Sequence, residues 1–154
     1  ATRKACFTSA AMPLLMRLPG RIPAGSVVTN PVSQIDVMPT ILDYVGLELP
    51  EKIHGASLQP LINGEEIGWR DYAFCQRANT GRMICTEQFK FTYRVKPRAV
   101  ALYDLKKDPH ENTNLANDPA HAETVRKMHQ QLIEVMTADG DPLVAKYEQD
   151  PIDE

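Results

Sequence analysis

The chain of 154 residues lacks any apolar run near the roughly 18 residues of a membrane-spanning helix. A secretory leader is not legible either. Basic residues stand near the start, but Pro13 and Arg17 break the apolar stretch that follows. Positive charge is not in excess: the formal net charge is −3 with the signs interspersed, which excludes the basic footprint of a nucleic-acid binder. Cys6, Cys75 and Cys85 form no Cys-x-x-Cys pair. One disulfide with a spare thiol, or three thiols, both remain open, and three thiols is the simpler reading. His110, His121 and His129 show no metal-ligand spacing, and His54 lies in a polar turn. Repeats and low-complexity runs are absent. What is present is an ordinary apolar fraction of 43%, enough for the core of one domain or of a piece of a larger one.

Periodicity divides the chain into two halves. Met12 to Leu18 is almost continuously apolar up to Pro19-Gly20, as in a strand buried on both faces of a parallel sheet. Val27 and Val28 suggest a further short extended piece. Asp36 to Val45 reads as a helix, with Asp36 as N-cap, Pro39 in its first turn and Gly46 just beyond its end. A short helix from Ser57 to Ile62 stops at Asn63-Gly64. The period then shortens. Tyr72–Gln76, Met83–Thr86, Phe89–Arg94 and Val100–Leu105 read as strands, with Glu87-Gln88 turning a hairpin. Phe89, Phe91 and Tyr93 alternate with Lys90, Thr92 and Arg94, the pattern of a half-solvated antiparallel strand. Asp118-Pro119 opens a last helix, to about Ala138, with Val125, Met128 and Leu132 on its apolar stripe. The segment beyond Gly140 is acidic and broken by proline, and is expected to fray.

The most specific string runs from Leu102 to Ala116. Leu102, Tyr103, Asp104, Leu105, Asp108, Pro109, Glu111, Asn114 and Leu115 fall in the order of a segment near the C-terminus of type I sulfatases, and the chain resembles that family there. The resemblance is colinear from about residue 12 to residue 138. It includes Pro13, Leu14, Arg17, Pro19 and Gly20, then Ile22 to Gly25. Ser33, Asp36, Pro39, Thr40 and Leu42 follow, then Gly46, Leu49 and Pro50, then Gly55, Ser57, Leu58, Pro60 and Leu61.

The resemblance implies an α/β protein (an α+β fragment). Residues 1–66 would be the last strand-helix part of an alkaline-phosphatase-like sandwich. Residues 67–140 would form a small four-stranded antiparallel sheet with a C-terminal helix, and 141–154 a flexible tail. It also implies sulfuric ester hydrolysis by a formylglycine nucleophile, made from a Cys/Ser-x-Pro-x-Arg motif, beside a divalent cation, usually calcium. A metal-supported nucleophile with cations where sulfate charge develops is the physical logic of that chemistry. Neither the motif nor the Asp-Asp pair that helps hold the metal occurs in this sequence. The chain therefore carries no predicted catalytic or metal residue and is expected to be inactive alone.

Candidate substrate contacts implied by the family are Lys4, placed before the strand at Pro13, and Arg77, Asn79 and Arg82 in the loop between the first two strands. A solvated terminus and a solvated loop are the alternative readings of these residues. Removal from a larger fold would bare Met12, Leu14, Leu15, Met16 and the stripe from Ile35 to Val45, so self-association or a chain carrying the catalytic half is expected. A stand-alone binding or oligomerisation module derived from a sulfatase is the competing class. A phosphate or phosphonate ester hydrolase of the same superfamily is a third.

Overall fold

The computed structural model describes residues 13–65, 68–77 and 81–149. The chain divides into two compact units, one ending at Asp71 and the other beginning at Tyr72.

In the first unit a 3-10 turn, Gln34–Asp36, leads into α1, Val37–Val45. Gly46 ends the helix in the left-handed region at φ 73, where its amide reaches Asp43 O and the Leu47 amide reaches Leu42 O. A second helix, α2, spans Gln59–Ile62. The buried side of α1 is polar as much as apolar. Thr40 is sealed in; its hydroxyl donates to Asp36 O and accepts from the Leu58 amide at 2.8 Å. Tyr44 is buried beneath Arg21, whose guanidinium lies 5.6 Å from the ring centre. The other side shows Met38, Ile41 and Val45 to solvent, with Ile35 just ahead of the helix.

Two expectations fail in this unit. Pro13 to Leu18 forms no strand, and Leu15 is 92% exposed. A strand buried on both faces needs flanking strands, and among the described residues the one sheet is built from 73–104. Nor does the Asp36 side chain cap α1. Its carboxylate turns back to the Ser33 amide at 2.7 Å and reaches the Ala56 amide at 3.0 Å and the Arg70 guanidinium. It thereby joins three segments that are remote in sequence. Trp69 closes the unit, donating Nε1–H to Pro31 O at 3.0 Å.

The second unit is an antiparallel meander in the order β1-β2-β3-β4, comprising Ala73–Arg77, Gly81–Cys85, Phe89–Arg94 and Ala99–Asp104. Alternation puts Ile84, Phe91, Tyr93 and Leu102 on one face. That face packs on Val125, Met128, Leu132 and Met136 of α3, Ala122–Ala138. Each such side chain contributes roughly 1.5–3 kcal/mol on burial. Asp118 caps the 3-10 turn before α3 by accepting from the Ala120 amide at 2.9 Å. The opposite face is not solvated as the alternation suggests: Lys90 and Thr92 are both buried.

Residues 141–149 are not a frayed tail. Helix α4, Val144–Glu148, tucks Leu143 and Tyr147 into the same core, and Tyr147 donates its hydroxyl proton to Tyr93 O at 2.9 Å. Burial pushes the Tyr147 phenol up to about 12. No helix of the described residues is long and apolar enough to cross a membrane.

Candidate functional site

The segment after β4 holds itself in place by side-chain to backbone bonds. Asp104 ends the strand and accepts from the Lys106 and Lys107 amides, while its own carbonyl accepts from the Asp108 amide at 2.7 Å. Gln88 donates to the other Asp104 oxygen. Burial raises the Asp104 carboxyl, but the Gln88 amide and the two backbone N–H groups outweigh it and hold the group below its usual range. Asp108 accepts from the Thr113 amide at 2.8 Å and from Asn112, and the Thr113 bond is the main reason its carboxyl is also lowered. Glu111, one of the few residues at positive φ (56), reaches over to Lys90 with both oxygens at 2.7 and 2.8 Å. The Lys90 side chain is 4% exposed, so this carboxylate offsets a charge that burial would otherwise make costly.

Asn114 completes the segment. Its Oδ1 accepts from the Leu102 and Ala116 amides, its Nδ2 donates to Val100 O, and the Leu115 amide donates to Leu102 O. These bonds cover the outer edge of β4, an edge that would otherwise invite another strand. Asn114→Ala is expected to cost about 1–2 kcal/mol. Native-state hydrogen exchange should show the Leu102 amide losing protection first, and unchanged protection there would refute the edge-covering role.

The predicted contact residues are not brought together as a described site. Lys4 and Asn79 lie outside the described residues. Arg77 ends β1, opposite Gly81. Arg82 is committed inward. Its Nε and Nη2 donate to the two oxygens of Asp141 at 2.5 and 2.9 Å, Nη1 donates to Gly81 O, and the side chain is 4% exposed. Asp141 was missed in the sequence because it lies 59 residues away, in the segment read as a tail.

Cys75 and Cys85 are free thiols, and burial pushes the Cys85 thiol up. Neither lies in a formylglycine motif. Among the described residues no three His, Cys, Asp or Glu side chains are grouped to hold a metal ion. The described residues therefore offer no ligand set for the divalent cation of a sulfatase, and the sequence offers no motif for its formylglycine.

The chain matches the family described as N-sulphoglucosamine sulphohydrolase, C-terminal, over residues 3–138. It is 29% identical over 151 residues to an arylsulfatase of Clostridium perfringens, covering 90% of this chain and 31% of that protein. A solved structure in complex with its substrate D-glucosamine-2-N,6-O-disulfate is 30% identical, with a TM-score of 0.67 over 82% of this chain and 28% of the other. A phosphonate monoester hydrolase from Silicibacter pomeroyi gives 29% identity and a TM-score of 0.68, over 79% of this chain and 28% of that one. The chain belongs to the sulfatase C-terminal family, within the alkaline-phosphatase-like α/β fold. It spans about a third of the length of the curated relatives it matches, or less.

Proposed function

We propose that this chain is the C-terminal part of a hydrolase that cleaves sulfuric esters on sulfated carbohydrates, and that it does not turn over substrate by itself. The observation that carries this reading is the family match over residues 3–138 in a sequence with neither the Cys/Ser-x-Pro-x-Arg motif nor an Asp-Asp pair. The carbohydrate assignment rests on relatives whose names specify sulfated sugars, such as the hexuronate-2-O-sulfatase and N-acetylglucosamine-6-O-sulfatase of Bacteroides thetaiotaomicron. A divalent cation and formylglycine would reside in the remainder of such an enzyme. The likeness to the phosphonate monoester hydrolase supports a second reading, with a phosphonate or phosphate ester as the substrate.

The apolar residues that α1 shows to solvent call for a cover. The cover is a second copy of this chain or a chain with the catalytic half. The purified chain should therefore scatter light as a multiple of 17.2 kDa and hydrolyse no aryl sulfate, with or without calcium. A stable monomer counts against the covered face. Metal-dependent turnover by this chain alone overturns the assignment of catalysis elsewhere.

A further inference from the structure

Three sulfurs share one face of the β1–β2 hairpin. Cys75 on β1 stands directly opposite Met83 on β2, and Cys85 lies two residues beyond Met83, opposite Ala73. Side chains two apart on a strand, or directly opposite across a pair, point the same way. Cys75, Met83 and Cys85 therefore project from the face opposite to Phe74 and Ile84. Met83 is 4% exposed, and both cysteines are half-buried free thiols. Each thiol makes a weak contact with the carbonyl of the next residue, Cys75 Sγ to Gln76 O at 3.8 Å and Cys85 Sγ to Thr86 O at 3.5 Å. The two cysteines are diagonal neighbours, with Cβ atoms roughly 7 Å apart. A disulfide needs about 3.5–4.5 Å between them, so this spacing excludes one without backbone movement. It suits a bridging atom instead. Two metal–sulfur bonds of about 2.3 Å each hold their sulfurs up to roughly 4.6 Å apart, within reach of thiols turned toward each other.

We propose that Cys75, Cys85 and Met83 form a three-sulfur binding site for a soft monovalent cation, Cu(I). Thiolates and thioethers are the ligands that select this ion, and a site built from sulfur alone discriminates against harder cations. Among the described residues no His, Asp or Glu completes a cluster with the two thiols, so nothing described supplies the four ligands that structural zinc takes. Binding displaces both thiol protons to solvent, and two thiolates with one Cu(I) carry a single negative charge. Burial disfavours the Cys85 thiolate, whereas Lys90, directly opposite it on β3, favours it. The inference is independent of the hydrolase reading, which assigns these sulfurs no role.

The chain is loaded with one equivalent of Cu(I), kept reduced by ascorbate without oxygen, and challenged with the chromogenic chelator bicinchoninate. It should retain one Cu(I) per chain. Iodoacetamide labelling read by mass spectrometry should then find Cys75 and Cys85 protected relative to the metal-free chain, and Cys6 labelled as before. In a Cys6→Ser background, adding Cys75→Ser or Cys85→Ser should weaken binding at least about a hundredfold, more than the loss of a group outside the ligand set costs. Met83→Leu nearly conserves volume, and should weaken binding about tenfold while the melting temperature holds. An excess of Zn(II) should leave the Cu(I) in place. Half a Cu(I) per chain, equal protection of all three cysteines, binding untouched by either serine variant, or full affinity in Met83→Leu overturns the site. So does displacement by Zn(II). Should a serine variant melt early, the labelling pattern of the parent chain decides by itself. None of these readouts involves turnover, so failure here leaves the hydrolase reading to stand or fall on its own assay.

Discussion

Asp141→Ala should destabilise the sheet-and-helix unit by about 3–5 kcal/mol, because it leaves the Arg82 guanidinium buried without its carboxylate. The same change removes the acceptor for the Leu143 amide and for Gln76, and so loosens the entry to α4. The loss belongs mainly to the orphaned charge, not to the pair itself. Arg82→Met/Asp141→Leu, which removes both charges, should therefore recover more than half of the deficit. Urea midpoints followed by far-UV circular dichroism decide this. A double variant as unstable as Asp141→Ala would show that the bond network, not the stranded cation, sets the cost. The pH dependence has a fixed sign. The hydrogen bonds from Arg82 outweigh burial and hold the Asp141 carboxyl below its ordinary value, with the Leu143 amide helping. A carboxyl lowered by folding adds stability above its unfolded value, near pH 4, and loses that contribution as pH falls through its folded value. The gap between the parent and Asp141→Ala should therefore narrow in acid. Asp104 and Asp108 are lowered in the same direction, so the unit as a whole should soften as pH drops below the carboxylate range.

The meander and α3 were legible because their signals are local. Phe89, Phe91 and Tyr93 alternate along one strand, and Asp118-Pro119 opens the helix within a few residues. The motif from Leu102 to Ala116 was legible as a turn for the same reason, since the bonds that Asp104 and Asp108 accept from the following residues span at most five positions. Burial of the face carrying Lys90 was not legible. The carboxylate that makes it tolerable is Glu111, 21 residues on, and nothing in the strand itself announces it. The segment after Gly140 misled for a related reason. Its composition is that of a tail, but Tyr147 finds a carbonyl 54 residues earlier and Asp141 a guanidinium 59 residues earlier. The apolar run from Met12 to Leu18 predicts a strand, and its described part, Pro13 to Leu18, forms none. A strand is a property of its neighbours as well as of its own residues. Arg82 has the right charge for an anion, and its pairing with Asp141 is something that spacing alone does not reveal.

Gly55→Ala should be among the most damaging single substitutions in the unit ending at Asp71. A Cβ at this position would stand 2.0 Å from Ile35 O and 2.6 Å from its carbonyl carbon, both backbone atoms that no rotamer change can move aside. Gly55 immediately precedes Ala56, whose amide donates to Asp36. Relieving the clash means pulling apart the segments that Asp36 joins, including its bonds to Ser33 and Arg70. The expected loss is at least about 3 kcal/mol, a large share of the stability of a small domain. Gly64→Ala is the informative control. Gly64 sits at φ 83 with nothing within 4 Å of its added Cβ, so only backbone strain of about 1–2 kcal/mol should appear. Trp69 is the sole tryptophan of the chain and is bonded to Pro31 within this unit, so its fluorescence reports the unit directly. A Trp69 unfolding transition that Gly55→Ala moves no further than Gly64→Ala does would mean that the Ile35–Gly55 contact yields easily. Asp36 would then be a passive acceptor, and the order of this unit would have to come from the packing of Thr40, Tyr44, Leu58 and Leu61 instead.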